Sequence, residues 1–139
     1  MKVDVYNREQ AEALKPDRGS VVISISSPGF PANLKEGWLD VLRLEFHDVV
    51  SIPRGIPDLI PFTYEHVEKV HEFVERYLDQ DFMIHCDAGV SRSVAIGVFL
   101  QDVYGAELTT HAIHTTDGAN SRVLSSLRRK HWTLRFNQG

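Results

Sequence analysis

Apolar and polar residues follow two different periods along this chain, and the switches between them divide it into elements. Four short runs, Val3 to Tyr6, Val21 to Ser26, Val41 to Phe46 and Phe82 to Cys86, are β-branched or apolar and bounded by turn residues, the pattern of strands. Helical spacing fills the gaps. The first helix is predicted from Arg8 to Leu14, with Asn7 as its cap, Gln10 at the capping-box position and a stop before Lys15-Pro16. From Tyr64 to Leu78, Val67, Val70, Val74, Tyr77 and Leu78 form one apolar stripe, while Glu65, Glu68, Glu72 and Glu75 fall mostly elsewhere. Thr63 is its N-cap, and Phe62 can staple onto Val67.

Ser93 to Tyr104 is apolar nearly all round, which marks a buried helix, and Gly105 is a natural C-terminal stop. Two further helices are predicted, roughly Thr109 to Thr116 and Asn120 to His131, separated by Asp117-Gly118. Strands that alternate with helices imply an α/β domain: a central, mostly parallel sheet of four or five strands flanked by helices.

At 139 residues the chain fits one domain, residues 1–139, large enough to bury a single core. No apolar run approaches the ~20 residues of a membrane span. The N-terminal stretch lacks the apolar core of a signal peptide, so a cytoplasmic protein without membrane partners is expected. The single cysteine excludes an internal disulfide and agrees with a reducing compartment. A net charge of −4, with one basic cluster at Arg128, Arg129 and Lys130, argues against a broad nucleic-acid footprint. An anionic ligand would need a local site of backbone amides, a helix end and one or two arginines.

One segment offers such a site. Phe82 to Cys86 reads as a strand, Asp87 to Ser91 as a tight loop, and a helix starts at Arg92. Loop N–H groups and the positive helix end then converge on one point, which suits phosphate and also favours the thiolate form of Cys86. Gly89 allows backbone geometry that a Cβ resists, and Arg92 can grip two phosphate oxygens with its planar fork. A lone cysteine at a strand end is more often an inert apolar residue, but the histidine before it, the glycine, and the serine flanking the arginine make that reading a small remainder.

His85-Cys86-Asp87-Ala88-Gly89-Val90-Ser91-Arg92-Ser93 resembles the HCxxGxSRS phosphate-binding loop of the cysteine-dependent protein phosphatases, in the form of dual-specificity phosphatases and small bacterial or phage tyrosine phosphatases. The resemblance implies hydrolysis in two steps. The Cys86 thiolate attacks phosphorus to form a phosphocysteine, and water then cleaves it. It further implies Arg92 as phosphate clamp, the amides of Asp87, Ala88, Gly89, Val90, Ser91 and Arg92 as the cradle, and Ser93 as the hydroxyl that steadies the departing thiolate. His85 would orient Cys86 and lower its pKa, Ser91 would shape the loop, and neither a metal nor another cofactor is expected.

The acid that protonates the leaving oxygen would come from the loop His47 to Asp58, which holds two aspartates. Asp48 is favoured because it directly follows the strand Val41 to Phe46, where dual-specificity members place their acid. Asp58, after Pro57, is the alternative general acid and could equally serve a turn. The remaining histidines, His66, His71, His111, His114 and His131, show no metal spacing and read as packing or surface residues.

Lysines in the loop would suit polyphosphorylated lipids, whereas this loop carries Asp87. The expected substrate is therefore a phosphoprotein or phosphopeptide, phosphotyrosine first, with phosphoserine or phosphothreonine as further options. Competing readings are an RNA 5′-phosphatase, disfavoured by the net charge, a rhodanese-like sulfurtransferase, disfavoured by the Ser-Arg-Ser ending, and a phosphate-binding interaction module without turnover.

Overall fold

In the computed structural model, which describes residues 1–52, 54–56 and 58–138, the chain runs β1 (Lys2–Tyr6), α1 (Arg8–Ala13), β2 (Ser20–Ser26), β3 (Asp40–Glu45), α2 (Tyr64–Arg76), β4 (Asp81–His85), α3 (Arg92–Tyr104), β5 (Glu107–Thr110) and α4 (Ser121–Gln138). The strands pair in the order β3-β2-β4-β1-β5, and every neighbouring pair is parallel.

Alternation along the strands sorts side chains onto two faces. Val21, Ile23, Ile25, Phe82 and Ile84 join the main core with the inner faces of α2, α3 and α4. Val22 and Met83 face the other way, where they bury Ala11 of α1 and meet Leu34 and Trp38. Both faces of the central strands are covered, as parallel sheets require, and the near-continuous apolar runs of β2 and β4 follow from that.

The capping predictions are met. Asn7 and Gln10 form a reciprocal capping box on α1, and Thr63 is the N-cap of α2. Gly105 ends α3 in the left-handed conformation, with φ of 68°.

The helix expected over Thr109 to Thr116 is absent. Glu107–Thr110 is instead the fifth strand, paired with the free edge of β1, and residues 111–119 form turns and irregular backbone. Leu108 and the β-branched threonines suit an edge strand. The competing edge lies about 100 residues away in sequence, so no local pattern reports it. The last helix runs to Gln138, past the predicted His131.

Cys86 therefore follows the innermost strand at the carboxyl end of the sheet, between the ends of β1 and β2. Crevices at that end, where successive connections leave in opposite directions, are where open α/β sheets bind ligands.

Candidate active site

Central strand β4 delivers Cys86 almost fully buried, and α3 begins at Arg92 with Ser91 as its cap. The thiol has two polar neighbours: Ser93 Oγ lies 2.9 Å from Sγ, and the Gly89 N–H donates to Sγ over 3.2 Å. Ser93 is wholly buried on the first turn of α3, so its hydroxyl is held against the sulfur.

Gly89 has φ of 71°, and a Cβ built there would stand 2.6 Å from Asn7 N, 2.7 Å from Tyr6 C and 2.8 Å from Tyr6 O. The loop thus lies directly against the backbone joining β1 to α1. Arg8 N–H donates to Asp87 O over 3.2 Å and closes the contact.

Arg92 is buried to 5% exposure, and its guanidinium is held from two sides. Nη1 donates to Phe46 O at 2.7 Å, and Nη2 donates to Asp87 Oδ2 at 2.9 Å. Its Nε–H is buried and has no hydrogen-bond partner among the described residues. A buried cationic donor left without a partner is costly, and a bound oxyanion would satisfy it. The Asp87 carboxylate, contributed by the loop itself, is also 3.8 Å from Arg8 Nη1 and accepts from Ser27 Oγ at 3.4 Å.

His85 lies on the opposite face of β4, fully buried, 2.6 Å from Ser24 Oγ through Nε2 and 3.4 Å from Cys86 O through Nδ1. Burial lowers its pKa to about 4, only partly offset by the backbone contact at Cys86. The imidazole is therefore neutral at pH 7. It has no formal charge to lend the thiol, and its contact with Cys86 is positional.

The two candidate aspartates part company. Asp48 Oδ1 accepts from Ser91 Oγ and from Asn120 Nδ2, both at 2.8 Å, which sets its carboxylate beside the cysteine loop. Asp48, Val49, Val50 and Ser51 share a recess of about 500 Å³ with Ser91 and the segment 118–121. Asp58 is exposed, and among the described residues it makes no hydrogen bond to the cysteine loop. Pro53 and Pro57 of this loop lie outside the described residues.

Three residues that position this loop escaped sequence reasoning. Asn120 reaches Asp48 and Val49 O with its amide while its Oδ1 accepts from Val123 N–H, capping α4. An asparagine before a helical pattern signals a cap, but nothing local signals a partner 72 residues upstream. His47 clasps the loop base: its N–H donates to Ile60 O at 2.6 Å, and its Nδ1 accepts from Ile60 N–H at 2.8 Å. His66 accepts the Thr63 N–H and reaches Glu45 O at 3.1 Å, tying the start of α2 to the end of β3. Among the described residues no group of three or more His, Cys, Asp or Glu could hold a metal ion. Among the described residues no helix is long and apolar enough to cross a membrane.

The fold, a five-stranded parallel sheet flanked by helices, is similar to that of a tyrosine phosphatase-like protein. Among solved structures it matches the human tyrosine phosphatase-like serine/threonine/tyrosine-interacting protein, with a TM-score of 0.51, 15% sequence identity, and coverage of 84% of this chain and 78% of that one. No protein-family model matches the sequence, and neither does any curated protein. The likeness is one of fold.

Proposed function

We propose that this chain is a cysteine-dependent phosphoric monoester hydrolase acting on phosphotyrosine in proteins, with phosphoserine and phosphothreonine as further substrates. The observation that carries the reading is the setting of Cys86 Sγ, held between Ser93 Oγ and Gly89 N–H six residues before an arginine with a buried, unpartnered Nε–H. A structural thiol needs none of these neighbours.

Phosphate binding turns the Arg92 fork from Asp87 to two phosphate oxygens, while the loop amides and the α3 N-terminus take the remaining charge. The Cys86 thiolate attacks phosphorus, the S–P bond forms and the P–O bond to the phenol breaks. Asp48 gives its proton to the departing oxygen. Its Oδ1 already holds Ser91 and Asn120, which leaves Oδ2 for that transfer. Water then attacks the phosphocysteine and yields its proton to Asp48. The S–P bond breaks, inorganic phosphate leaves, and Ser93 O–H stabilises the returning thiolate.

A second reading, a phosphate-binding interaction module without turnover, is favoured by two observations. Asp87 occupies the Arg92 fork, and the structural neighbour is named an interacting protein. Hydrolysis of an aryl phosphate by the wild type, compared with Cys86→Ser, separates the two. Turnover lost in the variant supports the enzyme. A wild type that binds vanadate but hydrolyses nothing sinks the enzyme reading and leaves the module.

A further inference from the structure

We propose that the cavity between the start of α2 and the outer face of α4 is a second anion-binding site, which takes a phosphomonoester or carboxylate group of an acidic peptide segment. The cavity holds about 320 Å³ and is walled by Phe62, Tyr64 and Val67 on one side and by Arg122, Arg129 and Lys130 on the other. Spacings of seven and eight residues bring the three cations to one face of α4. Its described lining contains no Asp or Glu, in a chain whose net charge is −4. On its other side Lys130 borders a neighbouring recess with Glu68, Glu72 and Glu75, so Arg122 and Arg129 are the cations of the lining that no carboxylate of that recess shares.

Two of the cations are already ordered. Lys130 Nζ donates to Tyr64 Oη at 3.0 Å and lies 5.1 Å from that ring's centroid, and Arg122 Nε donates to Phe62 O at 2.9 Å. Their rotamer entropy is spent before any ligand arrives. Arg129 differs: its guanidinium makes no hydrogen bond or ion pair among the described residues, although it borders the cavity. Its neighbour Arg128 points elsewhere and pairs with Asp102. The basic triplet is thus divided, with one arginine neutralised and two cations turned into a recess.

A peptide suits this recess better than a polyanion. Nucleic acid needs a stripe of cations along its backbone, whereas here the charge converges on one pocket with an apolar floor at Phe62 and Val67. The pocket also borders the loop that carries Asp48: Arg122 Nη1 donates to Val50 O at 3.5 Å, and Val50 lines the recess beside Ser91. A phosphopeptide in the Cys86 loop could therefore set an acidic residue in the second site. That assignment to the substrate chain rests on the proposed function, while the anion site itself does not.

The test is an amide-resolved NMR titration of the full-length Cys86→Ser protein with inorganic phosphate, then with an unphosphorylated glutamate-rich peptide. Saturable shifts are expected at Thr63, Tyr64 and 126–130 with both probes. Arg129→Gln should weaken the peptide about fivefold, as expected for one exposed charge pair, and Arg128→Gln, with the same change in charge, less than twofold. Equal effects of the two variants would reduce the site to net charge and overturn it. Phosphate shifts confined to 87–92 would overturn it as well. Shifts at 63–64 and 126–130 with none at 87–92 would uphold this site and sink the catalytic reading instead. Single-stranded RNA that binds these residues more tightly than the peptide would overturn the peptide assignment.

Discussion

Replacing Gly89 with alanine tests the packing that shapes the cysteine loop, and Gly105 supplies an internal control because its backbone is nearly the same. The φ angles are 71° and 68°. Either substitution puts an L-residue in the left-handed region, at about 1–2 kcal/mol. At Gly105 a new Cβ meets nothing within 4 Å, so the cost ends there. At Gly89 it meets three backbone atoms at 2.6 to 2.8 Å, where carbon contacts normally stand at about 3.5–4.0 Å. No flexible side chain can yield, so the loop or the β1–α1 junction must move. Overpacking of that kind adds about 1–3 kcal/mol. If the junction moves, the reciprocal cap between Asn7 and Gln10 is disturbed as well. If the loop moves, Gly89 N–H leaves Cys86 Sγ. Urea denaturation of both variants, compared at equal slope, should place Gly89→Ala about 1–3 kcal/mol below Gly105→Ala. Vanadate affinity measured well below the unfolding transition should fall only in Gly89→Ala. Equal stabilities, with vanadate binding intact in both, would show that the loop does not depend on this contact.

Asp48→Asn should slow aryl phosphates with poor leaving groups about a hundredfold and abolish the alkaline limb of the pH–rate profile, whereas Asp58→Asn leaves both unchanged; the reverse result reassigns the acid. Asn120→Ala releases Asp48 and uncaps α4, so a rate loss of about tenfold with the alkaline limb kept, plus about 1 kcal/mol of stability, is expected from kinetics and urea melts. Asp87→Asn removes the carboxylate that competes for Arg92, so calorimetry should show tighter phosphate binding; weaker binding would mean that Asp87 helps to hold the anion. His85 gives an acid dependence. Its folded pKa, about 4, lies below the ordinary 6.5, so the unfolded chain binds the proton first as pH falls. The stabilisation is complete above pH 6.5 and is lost down to about 4, about 3 kcal/mol in all. His66 and His71 are lowered by burial too, so His85→Asn should flatten the stability profile between pH 7 and 4.5 without abolishing its slope, and an unchanged profile would contradict the buried neutral imidazole.

Sequence alone determined whatever depends on neighbours along the chain. The apolar runs of β2 and β4, the capping box of α1 and the α2 stripe through Val67, Val70 and Val74 are short-range patterns that fold as read, although α2 ends at Arg76 and leaves Leu78 exposed beyond it. The grouping of Cys86, Gly89, Arg92 and Ser93 was legible for the same reason: one strand–loop–helix turn holds all four, so their spacing is nearly their geometry. Tertiary structure decided what depends on distant segments. Thr109 and Thr110 became a strand because β1 had an unpaired edge, and Asp48 rather than Asp58 met the cysteine loop because Ser91 and Asn120 hold it there. The basic triplet divided because helical rotation sends Arg128 toward Asp102, while Arg129 and Lys130 turn toward the cavity beside Tyr64. Contacts across such separations are fixed only when the whole chain buries its apolar faces together, and no local window of residues records that outcome.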